Sequence, residues 1–248
     1  MGMASASFAL ALALAGAPAW FQLNLRSSNH VAGVATIPIN AVEATFVVEL
    51  EVKLLGRNVR ARERIPGTMF PKRCFERHIE ADGWFCLGLA DRIRITDAQS
   101  ASAWWELLEA YLRMQRTATQ TGMWPEHHAL SHGEAGLHHQ NALEHAEKAG
   151  LADEYEAFMQ GDPSFLISLD ELLRRDGDRL RNGRCPCPCG RKRSDGRTLL
   201  RRDCPQRADV VSLLREERLR KDKLAHFVDT LKGSGMTCCG TMRVCPFR

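Results

Sequence analysis

Cys86 ends a short apolar string, Gly83-Trp-Phe-Cys86, that follows an irregular, proline-bounded stretch. A thiolate is both a good nucleophile and a good leaving group, so a cysteine is suited to forming a thioester and discharging it to an amine. That transfer needs an acceptor for the amine proton and a donor for the developing oxyanion. His78 and Asp82 are candidates for these roles close by in the sequence, and we assign Cys86, His78 and Asp82 as the catalytic group.

Alternatives stay open for the cysteines of this region. Cys86 has apolar neighbours on both sides, which is also typical of a buried packing cysteine. Arg77 or Arg92 could bias the Cys86 thiol towards thiolate. We expect Cys74 to be structural, with a disulfide or redox partnership with Cys86 as the alternative.

A second group of chemically active side chains is a set of seven cysteines near the C-terminus. A four-thiolate zinc site needs two pairs of thiols brought together, and this set supplies them with thiols to spare. The spacing is not a regular repeat, so the choice of ligands stays open, with a redox-active cluster or a metal-free region as alternatives. We predict a structural zinc ion whose ligands come from Cys185, Cys187, Cys189, Cys204, Cys238, Cys239 and Cys245.

Six histidines form a third group in the middle of the chain. One or two of them could ligate a metal or line a site, although polar surface and cap positions account for each one singly. His132 stands out because Gly-Glu-Ala-Gly follows it. The six are His127, His128, His132, His138, His139 and His145.

These groups depend on the elements that position them. Short alternating runs with turn residues between Trp20 and Arg64 predict an antiparallel meander that ends in a polar edge strand. Aromatic and aliphatic residues at helical spacing predict a helix over Ser100–Thr119, capped by Ser100 or Ser102. Further helices are predicted over His138–Gly150, around Glu154–Gln160, over Phe165–Arg175 and over Val210–Leu231.

The alanine-rich start of the chain could be a signal peptide or a first helix. Residues 9–17 resemble a signal-peptide core with an Ala-Gly-Ala cleavage site, but no Lys or Arg precedes Arg26. The apolar stretch is also too short to span a bilayer, so we expect a first helix of the fold. Nine cysteines, an odd number and locally clustered, indicate reduced thiols and a cytoplasmic protein.

Composition describes a globular chain with an uneven charge. Its 248 residues are 44% hydrophobic and 26% charged, which excludes a disordered chain and a membrane bundle. Residues 174–248 hold 20 Lys and Arg against 9 Asp and Glu, a net +11, whereas residues 1–173 are net −7. Only Phe227 and Phe247 are aromatic in the basic part, so it offers no stacking platform for nucleic acid. We expect docking onto an acidic surface, with nucleic acid as the less favoured partner.

The order of elements, with Phe70-Pro71, His78-Ile79 and Asp82-Gly-Trp-Phe-Cys86-Leu87, resembles the ubiquitin-conjugating enzyme fold. In that family a His-Pro-Asn-Ile stretch precedes a Gly-x-Ile-Cys-Leu stretch whose cysteine carries the thioester. Here the first stretch lacks its Pro and Asn. Because the family asparagine is thought to stabilise the oxyanion or shape the loop, the resemblance implies that His78 or a backbone N–H takes its place.

The chain also resembles bacterial members of this superfamily encoded in CBASS antiphage operons beside a cyclic-oligonucleotide synthase. Trp104-Trp105, Trp124-Pro125 and Cys238-Cys-Gly-Thr-Met-Arg are similar to a cysteine-rich family associated with such domains. The resemblance implies that a thioester on Cys86 carries the C-terminus of the synthase, or a ubiquitin-like protein, to a target amine, with an activating enzyme as a further partner. A non-catalytic zinc-containing adaptor that binds a protein or nucleic acid is the alternative function.

The predicted architecture is therefore α+β. We expect a conjugating-enzyme-like meander with flanking helices over residues 1–120, a helical extension and linker over 121–183, and a basic, zinc-binding cysteine-rich module over 184–248.

Overall fold

The computed structural model describes residues 3–39, 45–125, 130–168, 172–174, 176–177, 179–186 and 191–248. They fall into two compact units. The first unit contains Met1–Pro125 together with Met236–Arg248, and the second contains Glu126–Gly235. This grouping differs from the expected module over 184–248, because the C-terminal segment packs its thiol and apolar side chains in the first unit.

The first unit is built on a four-stranded antiparallel sheet with the strand order β1-β2-β3-β4. The predicted meander is therefore confirmed. Its alternating pattern buries Val48, Leu50 and Val52 on one face of the third strand, as period-two spacing requires. The strands are β1 (Phe21–Arg26), β2 (His30–Pro38), β3 (Thr45–Leu55) and β4 (Asn58–Glu63).

The alanine-rich start of the chain forms the helix α1 (Met3–Ala15), which is part of the fold. Ala9, Leu10 and Ala13 are buried in the core of the first unit. The indole N–H of Trp105 donates a hydrogen bond of 2.7 Å to the carbonyl of Ala13, which anchors the end of α1. Among the described residues, no helix combines the length and the apolar character needed to cross a bilayer.

The helix α2 (Ala98–Thr121) carries the tryptophans into the core. Its N-cap is Asp97, not the predicted Ser100 or Ser102. Ser100 occupies the third helical position and completes a capping box, in which the Asp97 carboxylate accepts from Ser100 N–H at 2.8 Å and the Ser100 hydroxyl accepts from Asp97 N–H at 3.0 Å. Trp104 donates to the carbonyl of Val59 at 3.1 Å and so ties α2 to β4.

A buried carboxylate shapes the irregular stretch that follows β4. Glu63 is 3% exposed, and its carboxylate accepts hydrogen bonds from the N–H groups of Gly67, Met69 and Phe70 at 3.1, 2.7 and 3.3 Å. These bonds satisfy backbone donors that no strand pairs. They turn the chain back so that the next segment returns alongside β4.

The second unit is helical. Its helices are α3 (Ala135–Ala149), α4 (Ala152–Met159) and α5 (Arg207–Gly233), with short 3-10 turns at Phe165–Ser168 and Arg201–Asp203. The three predicted helices are confirmed; all three begin two or three residues earlier than predicted, and their C-terminal ends differ from the prediction by one or two residues. Of the helix expected over Phe165–Arg175, the described residues show a 3-10 turn at Phe165–Ser168; residues 169–171 and 175 lie outside the described residues, so the rest of this helix stays a prediction.

Candidate active site

Cys86 lies on the second arm of a tight hairpin whose turn is formed by residues 80–83. Gly83 N–H donates to the carbonyl of Glu80 at 3.0 Å, and Glu80 N–H donates to the carbonyl of Trp84 at 2.9 Å. Gly83 has a φ of 86°, the left-handed conformation that closes a hairpin of this length with a bulge. A side chain here would also meet Pro66, because an added Cβ would lie 2.8 Å from its ring.

The two arms of this hairpin bring Cys86 opposite His78. Cys86 N–H donates to the carbonyl of His78 at 2.9 Å, and Phe85 N–H donates to the carbonyl of Ala61 on β4 at 2.9 Å. Side chains alternate along a strand, so Phe85 points into the core and Cys86 points to the other face. The result is a partly exposed thiol on a segment that the sheet holds in place.

His78 is the one non-glycine residue with a positive φ, 53°, among the described residues. This conformation costs most residues roughly 1–2 kcal/mol, and Asn, Asp and His adopt it more often than others. The carbonyl of His78 accepts a hydrogen bond of 3.1 Å from the Tyr111 hydroxyl, and the imidazole contacts the Trp124 ring at a centroid distance of 5.5 Å. Strained backbone of this kind is concentrated at functional sites.

A buried arginine fixes the peptide that precedes His78. Arg77 is 1% exposed, and its guanidinium donates to the side-chain oxygen of Gln115 at 2.7 Å, to the Gln115 carbonyl at 2.9 Å and to Thr119 at 2.7 Å. The Gln115 amide in turn donates to the carbonyl of Arg77 at 2.6 Å. Burial lowers the pKa of Arg77. Helix α2 therefore clamps the hairpin by side-chain and backbone contacts.

The surroundings of Cys86 favour the neutral thiol. Burial raises the pKa of Cys86 and the Glu80 carboxylate raises it further, while a hydrogen bond from Gly88 N–H and the Arg60 guanidinium oppose the rise. Arg60 forms an ion pair with Glu80 at 2.5 Å. Because the net shift is upward, the thiol is not ionised in advance, and a base must accept its proton when it reacts.

Arg77, one of the two cations proposed from the sequence to ionise Cys86, does not act in that way. Arg77 is engaged with α2, and the cation beside Cys86 is Arg60 on β4. A clue was present in the sequence, because Arg60 belongs to the predicted edge strand beside this stretch.

The carboxylate beside Cys86 is that of Glu80, which the sequence reasoning missed. Asp82 lies at the exposed tip of the turn, where its carbonyl accepts from Arg62 at 3.1 Å. The Cys86–His78 pair lies at the other end of the hairpin. The pairing of the hairpin, with Glu80 opposite Trp84 and His78 opposite Cys86, decides this placement, and it joins residues on two arms of the chain.

The seven C-terminal cysteines divide between the two units. Cys185 and Cys204 line one apolar pocket in the second unit, next to Leu180 and Leu214. Cys185 N–H donates to the carbonyl of Leu199 at 2.8 Å, which places its segment alongside the one that leads to Cys204. Cys187 and Cys189 lie outside the described residues.

Cys238, Cys239 and Cys245 belong to the first unit. The Cys239 sulfur lies 2.8 Å from the Cys74 sulfur, and Cys238 contacts Cys245. In the described part of the chain, no three His, Cys, Asp or Glu side chains are gathered as a metal ion requires. Two thiol contacts are therefore present among the described residues, Cys74 with Cys239 and Cys238 with Cys245.

The described histidines of the third group lie at the packed surfaces of the second unit. His138 contacts Glu216 at 2.7 Å and His145 contacts Asp209 at 3.1 Å, so both link α3 to α5. His132 stacks on Phe227 at a centroid distance of 6.5 Å. Burial lowers the pKa of His132 to about 4. Two further histidines of this group, His127 and His128, lie outside the described residues.

His139 is the most enclosed of these histidines. It is 7% exposed, and its Nδ1 accepts a hydrogen bond of 3.1 Å from the N–H of Ser131. Burial, reinforced by the Arg220 charge, lowers the pKa of His139 to about 4. These contacts give His139 a structural role between the helices.

Two family models match the chain. Residues 20–126 match the model described as a prokaryotic E2 domain, and residues 131–247 match the model of a cysteine-rich domain that lies C-terminal to E2 domains. No curated protein and no solved structure matches. The four-stranded antiparallel sheet and the helices are consistent with an E2-like fold. The chain therefore carries a prokaryotic E2 domain, the domain of ubiquitin-conjugating-like transferases, followed by a cysteine-rich C-terminal domain.

Proposed function

We propose that this chain is a cysteine-dependent conjugating enzyme in which Cys86 accepts a protein C-terminus as a thioester and transfers it to a target amine. The observation that carries the proposal is the position of Cys86 in the E2 domain. It is a partly exposed thiol at the end of a sheet-anchored hairpin, opposite the strained residue His78. A cysteine that served only to pack the core would not need this rigid, accessible setting.

The electrostatics around Cys86 support a role for Glu80 as proton acceptor. In the first step the Cys86 sulfur attacks an activated carbonyl, the S–C bond forms, the bond from that carbonyl carbon to its activating group breaks so that the group leaves, and the thiol proton must be accepted. The charge of the Glu80 carboxylate raises the pKa of Cys86, and the ion pair with Arg60 holds that carboxylate in place. In the second step the amine attacks, the C–N bond forms, the C–S bond breaks, and the amine proton needs an acceptor again.

His78 supports the site through its backbone conformation. The resemblance to conjugating enzymes places an asparagine in this stretch, and asparagine and histidine are both tolerated in the left-handed region. His78 therefore suits the same loop shape with a different side chain. We assign it the role of shaping the loop around Cys86 and of offering a donor towards the oxyanion.

The resemblance to bacterial conjugating enzymes from CBASS operons supports a specific substrate. There the carried protein is a cyclic-oligonucleotide synthase, which conjugation primes for antiphage signalling. We propose the same class of substrate here, in the cytoplasm, with a ubiquitin-like protein as the other candidate for the carried chain. An activating enzyme is a further partner in the proposal for either candidate, because a C-terminal carboxylate must be activated before Cys86 can form a thioester with it.

The proposal is tested with Cys86→Ser. A serine at this position forms an oxygen ester, which resists thiol reagents, so the adduct with the synthase from the neighbouring gene should survive reduction instead of being cleaved. Cys245→Ser is the matched control, because it removes another partly exposed thiol from the same unit. Reduced and non-reduced gels with mass spectrometry follow the adduct. An unchanged, reducible adduct in Cys86→Ser excludes Cys86 as the acceptor. If the wild-type protein binds the synthase but forms no adduct, the adaptor function is favoured.

We also propose a structural zinc ion in the cysteine-rich domain. The donor chemistry fits, since Cys185 and Cys204 line one pocket and thiolates are preferred zinc ligands, and Cys187 and Cys189 are the further donors nearest in sequence. Zinc there would hold the chain segments together. Metal analysis should find zinc in the wild type and in Cys245→Ser, and a loss in Cys204→Ser. Equal metal content in the two variants contradicts this choice of ligands.

A further inference from the structure

Two free thiols from the two family domains meet inside the first unit. Cys74 belongs to the E2 domain and Cys239 to the cysteine-rich domain, yet their sulfur atoms lie 2.8 Å apart. Cys74 is 3% exposed, whereas Cys239 is partly exposed. The active-site proposal uses neither residue.

Both thiols are held by ordered backbone. Cys74 N–H donates to the carbonyl of Ile79 at 3.0 Å, and Ile79 N–H donates back to Cys74 at 2.9 Å. On the other side, Cys239 contacts the Thr241 hydroxyl at 3.2 Å, and Cys238 N–H donates to the carbonyl of Phe247 at 3.2 Å. The contact between the sulfur atoms therefore joins two fixed segments.

Other contacts bind the C-terminal segment Met236–Arg248 to the E2 domain around the thiol pair. Arg243 N–H donates to the carbonyl of Gly122 at 2.7 Å, where a left-handed glycine ends α2. Phe247 packs edge-on against Phe75 at a centroid distance of 5.2 Å. Met242 is 2% exposed and lies in one apolar cluster with Cys74. The two thiols therefore lie within an ordered interface between the C-terminal segment and the E2 domain.

We propose that Cys74 and Cys239 are a modification site, at which a reversible disulfide fastens the cysteine-rich domain to the E2 domain. The oxidant is a small disulfide such as oxidised glutathione. Cys239, the more accessible thiol, attacks it first and forms a mixed disulfide with release of one glutathione thiol. Cys74 then attacks the Cys239 sulfur, the mixed disulfide breaks, and a second glutathione thiol leaves. The two protein thiols lose two electrons and two protons in all, which glutathione takes up.

The environment of Cys74 controls the speed of the second step. Burial, aided by the neighbouring Cys239, raises the pKa of Cys74, and Arg77 opposes the rise. The attacking group is the thiolate, so closure should be slow at neutral pH and should quicken as the pH rises. Once the disulfide is closed, its Cys74 sulfur is buried and its Cys239 sulfur is partly exposed, so a reducing thiol reaches the bond from the Cys239 side.

The test uses the full-length protein and graded mixtures of oxidised and reduced glutathione. After free thiols are blocked, non-reducing digestion and mass spectrometry should find a peptide that joins Cys74 to Cys239, with loss of two hydrogen atoms per chain. The linked peptide should increase with the oxidised fraction and disappear on reduction. Recovery of both residues as separately blocked peptides throughout the series overturns the proposal.

Single-cysteine variants distinguish the Cys74–Cys239 disulfide from other disulfide pairings and from a metal site. Cys239→Ser changes the partly exposed partner and should abolish the link without disturbing the buried residue, whereas Cys245→Ser and Cys86→Ser should keep it. A link from Cys74 to Cys86 or to Cys238 overturns the proposal. Zinc that is present in the wild type and lost in Cys239→Ser also overturns it, because the thiols would then be metal ligands. None of these outcomes depends on conjugation, so the proposed function can fail or stand separately.

Discussion

Each unit of this protein buries an arginine, but the two arginines are satisfied in opposite ways. In the second unit, Arg220 binds the Glu217 carboxylate through two nitrogens, at 2.6 and 2.7 Å. Burial alone would lower the pKa of Arg220, but Glu217 outweighs it and raises that pKa. In the first unit, Arg77 binds an amide, a hydroxyl and a carbonyl, and its pKa is lowered.

The difference follows from what each arginine must hold. Arg220 and Glu217 are neighbours on α5, and Tyr155 and Ser131 complete their hydrogen bonds, so the pair neutralises itself within the helical core. Arg77 instead fixes the backbone of an irregular segment, where carbonyl groups and not carboxylates need donors. The Arg77 network therefore shapes the candidate site of the first unit, and the Arg220 network packs the helices of the second unit.

The largest effect should come from removing the carboxylate of the second unit. Glu217→Leu leaves Arg220 buried without a counter-charge, which should cost about 3–5 kcal/mol of unfolding free energy. The double variant Glu217→Leu with Arg220→Met should lose less than the single one, because both charges are gone. If the double variant is the less stable, the charge argument is wrong.

The two units can be followed separately in that experiment. All five tryptophans belong to the first unit, so their fluorescence reports it, while the circular dichroism of the helices reports both units in urea. Glu217→Leu should shift the helical transition and leave the tryptophan transition in place. The tryptophans are Trp20, Trp84, Trp104, Trp105 and Trp124.

Acid should weaken the second unit through His139. Its pKa of about 4 lies below the ordinary value of 6.5, so its contribution to stability is complete above pH 6.5 and falls as the pH drops towards 4. The full contribution is about 3 kcal/mol, from roughly 1.4 kcal/mol per unit of pKa difference. His139→Gln should flatten the loss between pH 6.5 and 4, measured by helical circular dichroism in urea. An unchanged slope would show that other groups carry the acid sensitivity.

A smaller effect is expected when the neutral partner of Arg77 is removed. Gln115→Leu leaves a buried guanidinium and the Arg77 carbonyl short of partners, which should cost about 1–3 kcal/mol. The tryptophan transition should move, and amide hydrogen exchange should rise at residues 77 and 78. Thr117→Ala, on the exposed face of the same helix, should change stability by less than about 0.5 kcal/mol. Equal losses in the two variants would contradict the clamp.

The smallest effect is expected from a change at Glu80, whose charge acts on the Cys86 thiol. Glu80→Gln removes a charge that raises the pKa of Cys86, so the pH profile of Cys86 alkylation should move to lower pH. Asp82→Asn is the matched control at the tip of the turn and should leave the profile in place. Mass spectrometry of the alkylated Cys86 peptide measures both. If the alkylation profile shifts in Asp82→Asn and not in Glu80→Gln, the carboxylate that acts on Cys86 is Asp82, as predicted from the sequence.

The sequence was informative wherever local pattern decides structure. Alternation between Trp20 and Arg64 predicted the meander, and helical spacing around Trp104 and Trp105 predicted α2. The cap was missed because serine at positions 100 and 102 and aspartate at 97 are all good N-caps. Which of them serves depends on where the preceding loop joins the helix.

The candidate site was predictable only in part. The Gly-Trp-Phe-Cys string singled out Cys86 and, through the resemblance, the E2 domain that the family model then matched. The partners of Cys86 were harder to foresee, because the hairpin decides which side chains share a face. That register brought Glu80 and Arg60 together and left Asp82 at the tip.

By itself, then, the sequence determined the α+β meander, the tryptophan helix and the helical second part, and it singled out the cysteine that we propose as the thioester carrier. Each of these rests on residue type and short-range spacing, which act before the chain is folded. Only the tertiary structure decided the left-handed His78, the Arg77 clamp, and the meeting of Cys74 with Cys239. Those features join residues distant in the chain, and a one-dimensional pattern does not record which distant segments share a core.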